Sequence, residues 1–286
     1  MSLRIHPFFQ VSKKMSNSVL TPKTISELVK IVARKGKSAV LMSGADPSDH
    51  SAAGKVMVDV SHIGALNEIS VAKDRVVIGV GINLGRLARE AVGENGLLRQ
   101  AASLIANPLV RNRVTLAQAL DPDSPYFDIT TPLVLLDAKI RLQSPTAKRT
   151  VPIRDFLDQA AKGLKKGEMP VGVEFSKIAA TQKVGFFRVA RTGGKGSVSA
   201  ATRMRFVKNT ALDPEIVVSS LSLVPLRSKN AEKEIAGKAA SEASIKGAAS
   251  VAAKEIGSYT EKHNPYEQTL IEIAVARTLR DIMEGT

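Results

Sequence analysis

Apolar residues recur at helical spacing early in the chain, where Ile25, Leu28, Val29 and Val32 form one stripe between polar neighbours. Thr24 and Glu27 have capping-box spacing and Gly36 is placed as a stop, so the pattern predicts a helix over 24–35. Residues 1–20 carry no periodicity and read as a lead-in. Short apolar runs predict strands over 38–42, 56–60, 66–71 and 75–80, with a turn at Ser43-Gly44-Ala45-Asp46-Pro47. Helical patterning returns over 84–92 and 97–106, and Pro108 should interrupt it. Residues 121–125 are turn-rich, 130–137 suit a helix, and 139–143 alternate like a strand. Val171, Val173 and Phe175 alternate with Gly172 and Glu174 as a half-buried strand.

Composition shifts after about residue 178. Strands are predicted over 184–190, 198–207 and 215–224, and an alanine-, lysine- and glutamate-rich helix over 231–256. His263-Asn264-Pro265 breaks the pattern before a last amphipathic helix over 266–283. Its expected stripe is Leu270, Ile273, Ala274, the stem of Arg277, and Ile282. The irregular mixture of strands and helices predicts an α+β fold, ending in a three-stranded antiparallel sheet with helices on one face.

The 286 residues fit two domains of ordinary size, and 44% hydrophobic with 24% charged residues is a globular composition. There is no cysteine, which rules out disulfides, cysteine-held iron–sulfur clusters and a thiol nucleophile within this chain. The same absence fits a reducing compartment, and the cytoplasm is the expected location. No apolar run approaches the ~20 residues of a membrane span, and no secretory signal is expected at the N-terminus. The formal charge of +14 suits an anionic cofactor, an acidic protein partner or nucleic acid. Only 4% aromatic residues and scattered cations argue against a base-stacking nucleic-acid surface.

Several motifs are shorter in meaning than in appearance. Gly79-Val80-Gly81-Ile82-Asn83-Leu84-Gly85 is one residue too long for the dinucleotide fingerprint. It also lacks the acidic residue expected about 20 positions on, and the strands before it read as antiparallel. It therefore reads as a structural strand-to-helix turn. Thr192-Gly193-Gly194-Lys195-Gly196-Ser197 lacks a P-loop ending and reads as a hairpin loop. His6, His50, His62 and His263 have no metal-site spacing. Asp121, Asp123 and Asp128 cluster among turn residues, as caps do.

Two longer stretches are more specific. The first is Val40-Leu41-Met42-Ser43-Gly44-Ala45-Asp46. The second is Ile105-Ala106-Asn107-Pro108-Leu109-Val110-Arg111-Asn112-Arg113-Val114-Thr115-Leu116, with Asp128 and the run from Pro132 to Ala138 after it. Together with Val58-Asp59-Val60, Ile78-Gly79-Val80, Val151-Pro152 and Asp155-Phe156, they stand in the order of a known family's motifs. On these residues the chain resembles the FAD-binding medium subunit of the molybdenum hydroxylases, the xanthine dehydrogenase and aerobic carbon monoxide dehydrogenase family.

The resemblance implies a two-lobed FAD-binding fold over 21–178, with lobes of about 21–70 and 71–178, and a C-terminal flavoprotein domain over 179–286. It implies FAD as cofactor, its diphosphate wrapped by two turns. Ser43, Gly44, Ala45 and Asp46 would line one side; Arg111, Asn112, Thr115 and Gln118 would line the other, with Asp128 nearby. It implies partner subunits holding iron–sulfur centres and the molybdenum cofactor, and electron delivery to NAD or a quinone. The family's A-G-G-T-D becomes Met42-Ser43-Gly44-Ala45-Asp46, and its G-G-N becomes Ala117-Gln118-Ala119. Side chains at turn positions that need a left-handed backbone are costly, so the altered turns leave three readings open. These are an FAD-binding electron-transfer subunit, the same fold with FAD lost or exchanged for another anionic ligand, and a basic protein for nucleic acid or an acidic partner.

Overall fold

The computed structural model describes residues 19–35, 39–42, 56–90, 96–162, 164–165, 167–190, 197–220, 223–259 and 264–284. The first sheet is small and parallel. Strands β1 (Val19–Leu20), β2 (Ala39–Met42) and β3 (Val56–Asp59) lie in the order β1-β3-β2. Helix α1 (Ile25–Lys35) buries Leu28 and Val29. Thr24 Oγ1 accepts from Glu27 N at 3.1 Å, as the capping spacing predicts, while Glu27 Oε2 accepts from Lys23 N at 2.9 Å, one residue beyond the usual cap.

The expected strand over 66–71 is shorter than predicted. Gly64–Leu66 is a 3-10 turn, and only β4 (Ile69–Val71) is extended. Asn67 Nδ2 donates to Val60 O at 2.6 Å and Ile63 O at 3.0 Å, which fixes the turn. Strand β5 (Arg75–Gly79) crosses it so closely that a Cβ on Gly79 would lie 2.2 Å from Leu66 O. Only glycine fits there, which makes Gly79 a packing residue.

Strands β4 and β5 join β6 (Lys139–Gln143), β7 (Lys148–Pro152) and β8 (Met169–Ser176) in an antiparallel sheet of order β4-β5-β8-β6-β7. The strands directly before the Gly79–Gly85 segment are thus antiparallel as expected, whereas β2 and β3 are parallel. Helices α2 (Leu84–Arg89), α3 (Leu97–Leu104), α4 (Pro108–Arg111), α5 (Leu116–Ala119) and α6 (Thr130–Leu135) run between β5 and β6, and α7 (Ile153–Lys162) follows β7. Pro108 does not merely interrupt a helix; it opens α4, with Asn107 Oδ1 accepting from Val110 N at 3.0 Å.

The last sheet has four strands, not three. They are β9 (Gln182–Ala190), β10 (Ser197–Val207), β11 (Thr210–Ser220) and β12 (Leu223–Arg227), in the order β12-β11-β10-β9. The apolar run over 215–224 spans the end of β11 and the start of β12, which pair antiparallel. Strand β11 begins early because Lys208 and Asn209 both take left-handed backbone, φ 48° and 63°, and make a two-residue hairpin. Strands β9 and β10 pair antiparallel with Ala190 opposite Ser197; residues 191–196, where the hairpin loop is expected, lie outside the described residues.

The helix expected over 231–256 is two helices. Helix α8 (Lys229–Ile235) ends before Gly237, whose φ is 74°, and α9 (Glu242–Gly257) starts at a Ser241–Ser244 capping box. Helix α10 (Pro265–Glu284) buries Leu270, Ala274 and Ile282 as predicted, together with Ile271, Val275 and Leu279. Ile273 departs from the expected stripe and stands 48% exposed, while Arg277 lies 6.0 Å above the Phe187 ring. Helices α8–α10 pack on one face of the last sheet, over Ala200, Ile216 and Val218. The opposite face, carrying Phe186, Ala201 and Val217, joins the core built around β4–β8, where α3 and α6 lie against it. The sheet is therefore buried on both faces.

Candidate cofactor site

The expected second turn is laced to the Gly79–Gly85 segment. Val114 O accepts from Leu84 N at 2.9 Å, Ile82 O from Leu116 N at 2.8 Å, and Val80 O from Ala117 N at 2.8 Å. The turn itself is helix α5, capped by Thr115 and Gln118. Thr115 Oγ1 accepts from Gln118 N at 3.3 Å, and Gln118 Oε1 accepts from Thr115 N at 3.0 Å. Ala119 N donates to Thr115 O at 3.1 Å. Every backbone N–H from Thr115 to Ala119 thus has an acceptor inside the chain.

Positions 117 and 118 are also free of the strain expected from the lost glycines. The residues with positive φ outside glycine are Ala106, Asp137, Lys208, Asn209 and Asp213 among those described, and none lies in 115–119. Ala117 and Gln118 are ordinary helical residues. Of the three substituted side chains, only Gln118 takes up a donor, the backbone N–H of Thr115.

Arg111 and Asn112 have structural duties. Arg111 Nη1 donates to Ser103 O at 2.7 Å and Ala106 O at 2.9 Å, gathering the carbonyls at the end of α3. That clamp holds Ala106 at φ 53°, where its Cβ is disfavoured. Asn112 Oδ1 accepts from Arg89 Nη1 at 3.2 Å and fills the space that a Cβ on Gly85 would need, 2.1 Å away. Gly85 is therefore a contact point for α4 and not part of a phosphate loop.

Asp128 sits in a 3-10 turn (Phe127–Ile129) beside α5, yet its carboxylate turns to the last sheet. Asp128 Oδ2 accepts from Arg188 Nε at 2.5 Å, with the two side chains 5% and 13% exposed. Thr131 and Ser199 share a hydroxyl–hydroxyl bond of 2.8 Å nearby, and Phe186 N donates to Gln100 Oε1 at 3.1 Å. These three contacts form the seam between β9–β10 and the helices beneath. Asp121 keeps its expected capping duty, its Oδ1 accepting from Asp123 N at 2.9 Å.

Ser43, Gly44, Ala45 and Asp46 lie outside the described residues, as do His6, His50 and His263. Strand β2, which leads into 43–46, lies beside α5. The structure thus brings Thr115 and Gln118 together, sets Arg111 and Asn112 on the preceding helix, and sends Asp128 to a different partner. Arg188 escaped the sequence reading. Its signal was a charge two residues after Phe186 on the same strand face, an inward cation that demands a carboxylate.

A dinucleotide diphosphate is gripped by backbone N–H groups that have no other acceptor. The second turn has none among its five, so in this structure it does not fit that group.

Known proteins place the fold. Residues 13–175 match the family described as the FAD binding domain in molybdopterin dehydrogenase. The chain belongs to that family. Its relatives are oxidoreductase flavoprotein subunits, and this chain is of that class. The carbon monoxide dehydrogenase medium chain of Hydrogenophaga pseudoflava is 27% identical over 244 residues, 81% of this chain and 84% of that protein. The xanthine dehydrogenase FAD-binding subunit of Escherichia coli O157:H7 is 28% identical over 160 residues, 53% of this chain and 55% of that one. In solved structures, a chain of reconstituted CO dehydrogenase from Oligotropha carboxidovorans superposes with TM-score 0.78 at 20% identity, covering 95% of this chain and 99% of that chain. Quinoline 2-oxidoreductase from Pseudomonas putida 86 gives 0.78 at 21%, covering 94% of this chain and 97% of that chain. At such identities the superpositions show the shared fold. No helix among the described residues is long and apolar enough to cross a membrane.

Proposed function

We propose that this chain is the medium subunit of a heteromeric molybdenum hydroxylase. The observation that carries the reading is the extent of the fold match, which runs through the last sheet and its helices and covers 93–95% of the chain. The electron path of such a complex runs from iron–sulfur centres on one partner to NAD or a quinone, with the molybdenum cofactor on another. A chain without cysteine leaves the clusters to a partner. The +14 charge gives it a field suited to acidic partner surfaces, and the cytoplasm is the compartment this reading assigns.

The same reading divides the chain into a lead-in (1–20), two lobes (about 21–70 and 71–178) and a C-terminal domain (179–286). The sheets do not follow these bounds throughout: β1 (Val19–Leu20) of the first sheet falls in the lead-in and β4 (Ile69–Val71) of the second straddles the 70/71 boundary, while the last sheet lies wholly within 179–286. Ser43, Gly44, Ala45 and Asp46 would supply the first side of an FAD site, and Thr115 and Gln118 would face its second side, giving donors only where the bonds between them open. Arg111 and Asn112 would support the second side through the contacts described above, and Asp128 would stand near it while paired with Arg188.

A second reading, the fold retained with FAD lost or exchanged, is favoured by the closed turn at Thr115 and Gln118. An absorbance spectrum separates the two. The purified protein is mixed with excess FAD, desalted and scanned. Flavin bands near ~450 nm that survive desalting support the FAD-binding form, and a colourless protein supports the second.

A further inference from the structure

We infer that Gln118 is the residue that closes the second turn against a dinucleotide diphosphate. This rests on the medium-subunit reading, which sets the diphosphate against the second turn. The argument is an account of donors. Leu116 N and Ala117 N are committed to Ile82 O and Val80 O, bonds that hold α5 onto the Gly79–Gly85 segment. Ala119 N is committed to the helix itself through Thr115 O. That leaves Thr115 N and Gln118 N as the donors a ligand would use, and the capping box takes both.

Gln118 makes one half of this closure with its side chain. Its Oε1 accepts from Thr115 N, standing where an anionic oxygen would stand. Its backbone N–H is engaged by Thr115 Oγ1 at 3.3 Å, the threonine's half of the capping box. The side chain is half-buried. A neutral amide thereby substitutes for the ligand's acceptor without bringing any negative charge. Gln118 is a specificity-determining residue in this sense: it decides whether the turn offers donors to a phosphate oxygen.

The test compares the wild-type chain with Gln118→Gly in titrations with FAD, followed by flavin fluorescence, and with inorganic pyrophosphate as competitor. The variant should bind FAD at least about tenfold more tightly, the worth of one recovered charge-assisted bond. Pyrophosphate should compete for the variant and leave the wild type unaffected. Gln118→Ala, which frees the same Thr115 N and keeps helix propensity, should show a similar gain and guards against a folding defect in the glycine variant. Equal FAD affinity in all three proteins overturns the inference, and so does stoichiometric FAD retained by the wild type through desalting. The medium-subunit reading is judged separately, by whether tagged wild-type chain brings down iron- and molybdenum-containing partners, a result that does not depend on flavin.

Discussion

Asp128 and Arg188 meet 2.5 Å apart across the seam between the last sheet and the helices that precede β6, with both side chains almost out of solvent. An acidic residue that the family pattern assigns to the cofactor's neighbourhood is thereby a fastener between two halves of the chain. The pair lies beside the Thr131–Ser199 hydroxyl bond, so the seam is polar at its centre and apolar around Phe186 and Ala201.

This fastener predicts a large, asymmetric mutational effect. Asp128→Asn leaves a buried guanidinium without its counter-charge and should cost about 3–5 kcal/mol in urea denaturation. Replacing both partners with apolar residues, Asp128→Leu with Arg188→Met, should restore most of it. A single variant within about 0.5 kcal/mol of wild type would show that the seam does not depend on the pair.

Gly79 and Gly64 form a matched comparison. A Cβ at Gly79 meets the Leu66 carbonyl at 2.2 Å, while one at Gly64 meets nothing within 4 Å. Gly79→Ala should destabilise by about 1–3 kcal/mol or more, because backbone must move. Gly64→Ala should stay within about 0.5 kcal/mol of wild type. Thermal midpoints of the two variants decide it, and equal midpoints would contradict the packing role of the first glycine.

The cap that closes the second turn has its own stability signature. Thr115→Ala removes the acceptor for Gln118 N and should cost about 0.5–2 kcal/mol, the usual worth of a helix N-cap. Thr115→Ser keeps the hydroxyl and should recover most of that. Chemical denaturation of the three proteins checks the order.

Acid should weaken another fastener. Arg149 grips Glu168 with two bonds, Nε to Oε1 at 2.6 Å and Nη2 to Oε2 at 2.7 Å. The guanidinium hydrogen bond holds the Glu168 carboxyl below its ordinary value, against the opposing effect of burial. A carboxyl with a depressed folded pKa binds fewer protons folded than unfolded. Its stabilisation is therefore complete above the unfolded value of about 4.3 and is lost as pH falls through the lower folded value. Wild type should exceed Glu168→Gln in stability at neutral pH, and the gap should shrink in acid over that window. A gap independent of pH would contradict the assignment.

Much of the fold was legible because it rests on local pattern. The apolar stripe and Thr24 cap give α1, and the alternation around Val173 gives β8. The fourth strand of the last sheet was hidden because Lys208-Asn209 is a hairpin turn without glycine, so no punctuation marked where β11 begins. The break between α8 and α9 was masked by strong helix formers around Gly237. At the candidate site, the motif residues identified the family, but their engagements are tertiary. Gln118 reads in sequence as a lost glycine, and only its bond to Thr115 N shows what replaced the glycine's function. Asp128 reads as a site carboxylate until Arg188 is placed against it from 60 residues away.

The most direct test of the central claim is native mass spectrometry, with metal analysis, of the tagged wild-type chain isolated together with whatever binds it in its own cells. The account predicts an assembly containing this chain and two further kinds of subunit, carrying iron and molybdenum. A chain that runs alone and free of both metals would contradict it.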